Sequence, residues 1–167
     1  MKKRLLSICL VLALCLTCVP SALAVGDVHF SGGDGTPSSP YLISNAQDLF
    51  DLAEEVNNGT SYERQYFRLT KDIDLEGKPW TPIGDRLDQD GRQFLGTFDG
   101  NDHTVSGLRV EEAYGSVGLF GFVGMMSRNI TAEVKNLNVV GSVSVARTPA
   151  NFYVAGIAGF VGDGAKI

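Results

Sequence analysis

Gly118-Leu119-Phe120-Gly121-Phe122-Val123-Gly124 returns 38 residues later as Gly156-Ile157-Ala158-Gly159-Phe160-Val161-Gly162. A second echo follows each copy. Ala132-Glu133-Val134 is matched by Ala165-Lys166-Ile167 at the shorter offset of 33, because Met125 to Thr131 has shrunk to Asp163-Gly164. A third links Val105-Ser106-Gly107-Leu108-Arg109-Val110 to Val134-Lys135-Asn136-Leu137-Asn138-Val139. Fixed apolar runs joined by loops of variable length are what stacked supersecondary repeats produce. A sandwich has no reason for such self-similarity, so the expected architecture is a β-solenoid. In it, Leu108 with Leu137 and Leu119 with Ile157 would form apolar ladders.

Moving outward from the motif, the same strand character extends back to Tyr66. Phe67, Leu69, Ile73 and Leu75 alternate with Arg68, Thr70, Asp72 and Asp74, and further runs cover 104–110, 117–123, 134–145 and 152–161. Tyr41-Leu42-Ile43 reads as a short strand ahead of one convincing helix. Ser44 is the expected N-cap, with Gln47 completing a capping box. Ala46, Leu49, Phe50, Ala53 and Val56 then make one stripe, with Leu52 at its edge, and Asn57-Asn58-Gly59 supplies the stop. Laid over the first rung, that helix would shield an apolar interior and block edge pairing.

These residues resemble the exported bacterial surface proteins that carry the GLUG motif, named for a Gly-Leu-x-Gly core. Gly118-Leu119-Phe120-Gly121 matches it fully, and Gly156-Ile157-Ala158-Gly159 departs by one residue. Pro40-Tyr41-Leu42-Ile43-Ser44, Phe67 to Leu75, Trp80-Thr81-Pro82-Ile83-Gly84 and Phe94 to Asn101 extend the resemblance over most of residues 34–167. It implies a mainly β fold, a right-handed parallel β-helix with one N-terminal capping α-helix, often the repeat region of a large adhesin-like protein. It also implies that Gly118 and Gly121 lie at a tight bend, with Leu119 pointing inward. Similar repeats occur in non-catalytic regions of some immunoglobulin-A-cleaving zinc peptidases, but this chain has no His-Glu-x-x-His.

The organisation expected is a signal peptide over 1–24, a polar lead-in over 25–40, an N-terminal cap with its helix over 41–65, and β-helix repeats over 66–167. Lys2-Lys3-Arg4, the apolar run from Leu5 to Val19 and Ala22-Leu23-Ala24 have the order that signal peptidase reads. Cleavage there removes Cys9, Cys15 and Cys18, so the mature chain has no thiol chemistry, and no membrane span is expected after it. The final stretch stops at Ala165-Lys166-Ile167, and the expectation is of a molecule continued by further repeats or anchoring modules. Asn58-Gly59-Thr60 and Asn129-Ile130-Thr131 are chance sequons in a bacterial-looking chain.

The whole sequence of 167 residues carries a net charge of −5; without Lys2, Lys3 and Arg4, eleven basic side chains face nineteen acidic ones. That balance excludes a phosphate backbone as partner, since nucleic-acid binding releases counterions to clustered Lys and Arg. Asp72 and Asp74, two apart on a strand, are candidates for an acid–base pair or a calcium site, but a solvated face beside Arg68 and Lys71 is the expectation. Asp99-Gly100-Asn101-Asp102 is likewise read as a tight turn ahead of a calcium loop. His29 and His103 are too few for zinc. Trp80, between Pro79 and Pro82, is read as packing rather than a sugar platform, and Phe152 and Tyr153 fit either strand face. Neither Gly32-Gly33-Asp34-Gly35 nor the Gly118 motif leads into Gly-Lys-Ser/Thr, so no phosphate cradle is read.

No catalytic, metal or cofactor residue is therefore assigned. The expected function is a secreted or cell-surface binding and scaffold module, adhesin-like and not an enzyme, whose partner is a surface glycan or host protein. The alternative is a polysaccharide lyase or glycosidase on a β-helix, which fold alone cannot establish.

Overall fold

The computed structural model describes residues 30–84, 92–111, 115–125, 130–144 and 153–167. The signal peptide, His29, Asn129 and Phe152 lie outside them.

The chain runs through β1 (Tyr41–Ile43), α1 (Ala46–Asn57), β2 (Tyr66–Leu69), β3 (Ile73–Asp74), β4 (Thr97–Asp99) and β5 (Thr104–Val110). It continues through β6 (Ser116–Val117), β7 (Phe120–Val123), β8 (Glu133–Lys135), β9 (Asn138–Val143), β10 (Tyr153–Val154) and β11 (Ala158–Val161). Long runs read as single strands are split in two. The breaks fall where the backbone turns: Gly118-Leu119 separates β6 from β7, and Asn136, at φ 51°, separates β8 from β9.

All strand pairs are parallel. One sheet orders β1-β2-β4-β8, a second β3-β5-β9, and two-stranded pairs join β10 to β6 and β11 to β7. Register brings Phe67 onto Phe98 and Phe98 onto Val134, while Arg68, Asp99 and Lys135 share the outer face. The pairing of the two motif copies, Phe120 with Ala158 and Phe122 with Phe160, has the offset of the sequence repeat. Glu133 bridges Lys166 in the same way, as the second echo predicts. The third echo is not a structural pair: Val105 faces Val139, Val134 faces Phe98, and Leu108 faces Gly141 rather than Leu137.

The expected mainly β, right-handed parallel β-helix with a capping helix is corrected by this arrangement. The described residues form a mixed fold of short parallel strands in several small sheets, plus one helix. Strands are two to seven residues long and fall into four separate small sheets of two to four strands each. The helix is also more than a cover. Leu49, Leu52, Ala53 and Val56 are buried in the same core as Phe67, Leu69, Ile83 and Leu119.

Two local expectations also change. The N-cap is Asn45, not Ser44: its side chain accepts from Asp48 N at 3.1 Å, and Asp48 in turn accepts from Ser44 N at 2.7 Å. The short Asp48 carboxylate thus takes the backbone donor just ahead of the N-cap, while the longer Gln47 reaches Asp51 instead. Gly121 lies inside β7 rather than at a bend. A Cβ there would run into the Gly84 carbonyl oxygen, so the glycine permits close backbone approach. Leu119 is fully buried, as an inward residue must be.

Candidate functional site

The C-terminal half of α1 and the 79–81 segment leave a groove of about 340 Å³ between them. Phe50, Ala53 and Pro79 supply its apolar lining, and Glu54, Asn58 and Thr81 its polar groups. The helical period places Phe50, Ala53, Glu54 and Asn57 on one face. Asn57 pins the groove's end, donating to the Pro82 carbonyl at 3.0 Å and accepting from Gly84 N at 2.9 Å. Trp80 stands behind the lining, only 4% exposed, its ring 5.2 Å from that of half-buried Phe50. Its indole N–H donates to the Leu119 carbonyl at 3.0 Å, which makes Trp80 a packing residue. A partly buried ring beside a carboxylate, an amide and a hydroxyl suits a polar ring-shaped ligand, whose faces are apolar and whose rim carries hydrogen-bonding groups.

The carboxylates singled out from sequence do not converge. Asp72 accepts from Thr104 N at 2.9 Å and lies 3.2 Å from His103 Nδ1. The Thr104 N–H, aided by His103, holds its carboxyl below the ordinary value. Asp74 instead accepts from Glu76 N at 2.8 Å. Asp99 accepts from Asn101 N at 2.9 Å, Asn136 Nδ2 at 3.0 Å and Arg68 at 3.3 Å. Partial burial opposes its ionisation, but these three donors together hold the carboxyl below its ordinary value. Asn101 and Asp102, at φ 51° and 62°, form the turn that His103 N closes onto the Gly100 carbonyl at 2.8 Å. That is the conformation of a tight primed turn. Among the described residues no three His, Cys, Asp or Glu gather as a metal site.

The Gly-rich segment at 32–35 is closed on itself: Asp34 N and Gly35 N both donate to the Ser39 carbonyl. Among the described residues no helix is long and apolar enough to cross a membrane. Sequence reasoning missed Asp48, which is buried and accepts from Ser31 Oγ at 2.6 Å. Phe50, read on the apolar stripe, is partly buried against the core and also lines the groove.

No family model matches the chain. Over 129 residues it is similar, at 33% identity, to a protein of Evansella cellulosilytica provisionally named a Gly-rich membrane protein; the match covers 72% of this chain and 13% of that protein. Over 123 residues it is 32% identical to halomucin of Haloquadratum walsbyi, covering 68% of this chain and 1% of halomucin. The chain thus spans a small part of the length of these curated relatives. A solved Bacteroides ovatus structure, provisionally described as an immunoglobulin A1 protease, is similar at 22% identity with a TM-score of 0.48, covering 80% of this chain and 45% of that one. A likeness of that extent carries no argument about fold or activity.

Proposed function

We propose that this chain is a binding and scaffold segment of a surface or extracellular protein, adhesin-like and acting by binding rather than turnover. The observation that carries the reading is its likeness to stretches of two much longer proteins, one named for a membrane and one a halomucin. The Gly118-Leu119-Phe120-Gly121 core, with Gly121 unable to accept a side chain, supports grouping it with GLUG-motif surface proteins. Export by way of residues 1–24 belongs to the same reading, and N-terminal sequencing of the secreted product should then begin at Val25.

The ligand class we favour is a surface glycan held in the α1 groove. The test is a glycan array probed with the exported protein and with Phe50→Ala, alongside an assay for cleavage of the same polysaccharides. Binding lost in Phe50→Ala, with circular dichroism showing a cooperatively folded protein and no cleavage, supports the reading. Absence of any glycan signal, or turnover of a bound polysaccharide, overturns it.

A further inference from the structure

α1 carries four carboxylates, Asp48, Asp51, Glu54 and Glu55. Three are engaged: Asp48 by Ser31 and Ser44, Asp51 by Gln47 Nε2 at 2.7 Å, and Glu55 by Thr60 Oγ1 at 3.1 Å. Among the described residues Glu54 alone of the four has no hydrogen-bond or ion-pair partner, and it is the one that lines the groove. The cation next to the lining in sequence, Lys78, is held by Glu76 at 2.8 Å.

A second electrostatic demand falls at the same place. The last turn of α1 contains no basic residue, so no side chain there offsets the negative end of the helix dipole. Asn57 and Asn58 carry that end into the groove. The whole chain is acidic, at −5, and such a field draws cations and repels anions. At about 340 Å³ the groove lies near the lower end of small-molecule sites and suits one ring rather than a threaded chain. Phe50 and Glu54, four apart on the helix, are surface neighbours with Cβ atoms about 5–6 Å apart. A small ring with an apolar face and a positive charge on its rim matches that pair.

We infer that the groove selects an amine-bearing sugar, its ring against Phe50 and its ammonium group paired with Glu54 beside the C-terminal end of α1. This rests on the glycan reading above and adds the charge of the sugar and the residue that selects it. The Glu54 carboxylate attracts the ammonium, has no ionic partner in an N-acetylated sugar, and repels a uronic acid.

The experiment measures binding of a glucosamine oligomer, its N-acetylated counterpart and a galacturonate oligomer of equal length by calorimetry, at about pH 6 to keep the amine protonated. Wild type, Glu54→Gln and Glu63→Gln are compared; the last makes the same charge change outside the groove, where Glu63 faces Arg64. Wild type should bind the glucosamine oligomer roughly three- to fivefold more tightly than the N-acetylated one, as one exposed ion pair allows, and the galacturonate oligomer least. Glu54→Gln should erase the preference and Glu63→Gln should keep it. Gln is as good a helix former as Glu, so circular dichroism should show both variants folded. Equal binding of the amine and N-acetyl forms by wild type, or a preference that survives Glu54→Gln or is lost equally in Glu63→Gln, overturns the inference and leaves glycan binding standing. Absence of glucosamine binding overturns it too, whereas the broader reading falls only if the whole glycan array is silent.

Discussion

Trp80 and Leu119 are joined by a 3.0 Å hydrogen bond from the indole N–H to the backbone carbonyl, and the same oxygen also accepts Ile83 N at 3.0 Å. Two donors from the 79–84 segment thus converge on the residue just before β7, and α1 closes over them through Phe50. Trp80→Phe keeps most of the apolar contact and leaves the carbonyl one of its two donors. It should cost about 1 kcal/mol. Trp80→Ala removes the ring as well and should cost roughly 3–5 kcal/mol. Chemical denaturation followed by circular dichroism separates the two, and equal losses would show that the hydrogen bond rather than the packing holds this junction.

The glycines of the two motif copies are not equivalent. Gly121 faces the Gly84 carbonyl, whereas a Cβ on Gly156 meets nothing within 4 Å. Gly121→Ala forces backbone apart in a packed core and should destabilise by about 3 kcal/mol, at the upper end for overpacking. Gly156→Ala should be neutral or stabilising by up to about 1 kcal/mol, through the unfolded chain. Melting temperatures of the pair decide it; a harmless Gly121→Ala would contradict the close approach.

That contrast also shows what sequence can carry. The partners of Phe120 and Glu133 were legible because Gly-x-x-Gly-Phe-Val-Gly is a long, specific pattern and its offset is the pairing offset. The echo of Val105–Val110 in Val134–Val139 misled because alternating Val and Leu recurs in any strand. The helix was legible from its stripe, but its cap was misplaced by one residue, since Ser44 and Asn45 are both good caps; the Asp48 N–H bonds the Asn45 side chain, while the Ser44 hydroxyl turns to Ser31. Continuous coiling was not legible at all. It depends on how far each pairing runs across the fold, and the strands here are only two to seven residues long. In the candidate site, Trp80 was readable as packing from its flanking prolines. The groove was not, because it arises where residues 50–58 meet residues 79–81 across the fold.

The start of α1 rests on Asp48, buried yet accepting from Ser31 Oγ and Ser44 N, with the Ser31 and Ser44 hydroxyls also in contact. Asn45→Ala removes one cap and should cost about 1 kcal/mol. Asp48→Ala leaves two donors at the helix start without their acceptor and should cost more, about 2–3 kcal/mol. Asp48→Asn retains an acceptor oxygen and should fall between wild type and Asp48→Ala. Urea midpoints of the four proteins test this order, and an Asp48→Ala no worse than Asn45→Ala would contradict it.

Acid should loosen the outer face of the β2–β4–β8 sheet. Asp99 shares that face with Arg68 and Lys135, and its carboxyl is held below the ordinary value of 3.8. Asp72, with Thr104 N–H and His103 against it, is displaced in the same direction. A carboxyl whose native pKa is depressed contributes stability that is complete above its unfolded value and is lost as pH falls through its native one. The loss should therefore begin near about pH 5 and grow toward about pH 2. Asp99→Asn keeps an oxygen for the Asn101 N–H but cannot pair ionically with Arg68. It should melt lower than wild type at pH 7, and the two curves of melting temperature against pH should approach each other as pH falls below the ordinary carboxyl value of 3.8 and the wild-type carboxyl protonates. Parallel curves across that range would mean that Asp99 does not change its ionisation on folding, and that the acid sensitivity of the protein lies elsewhere.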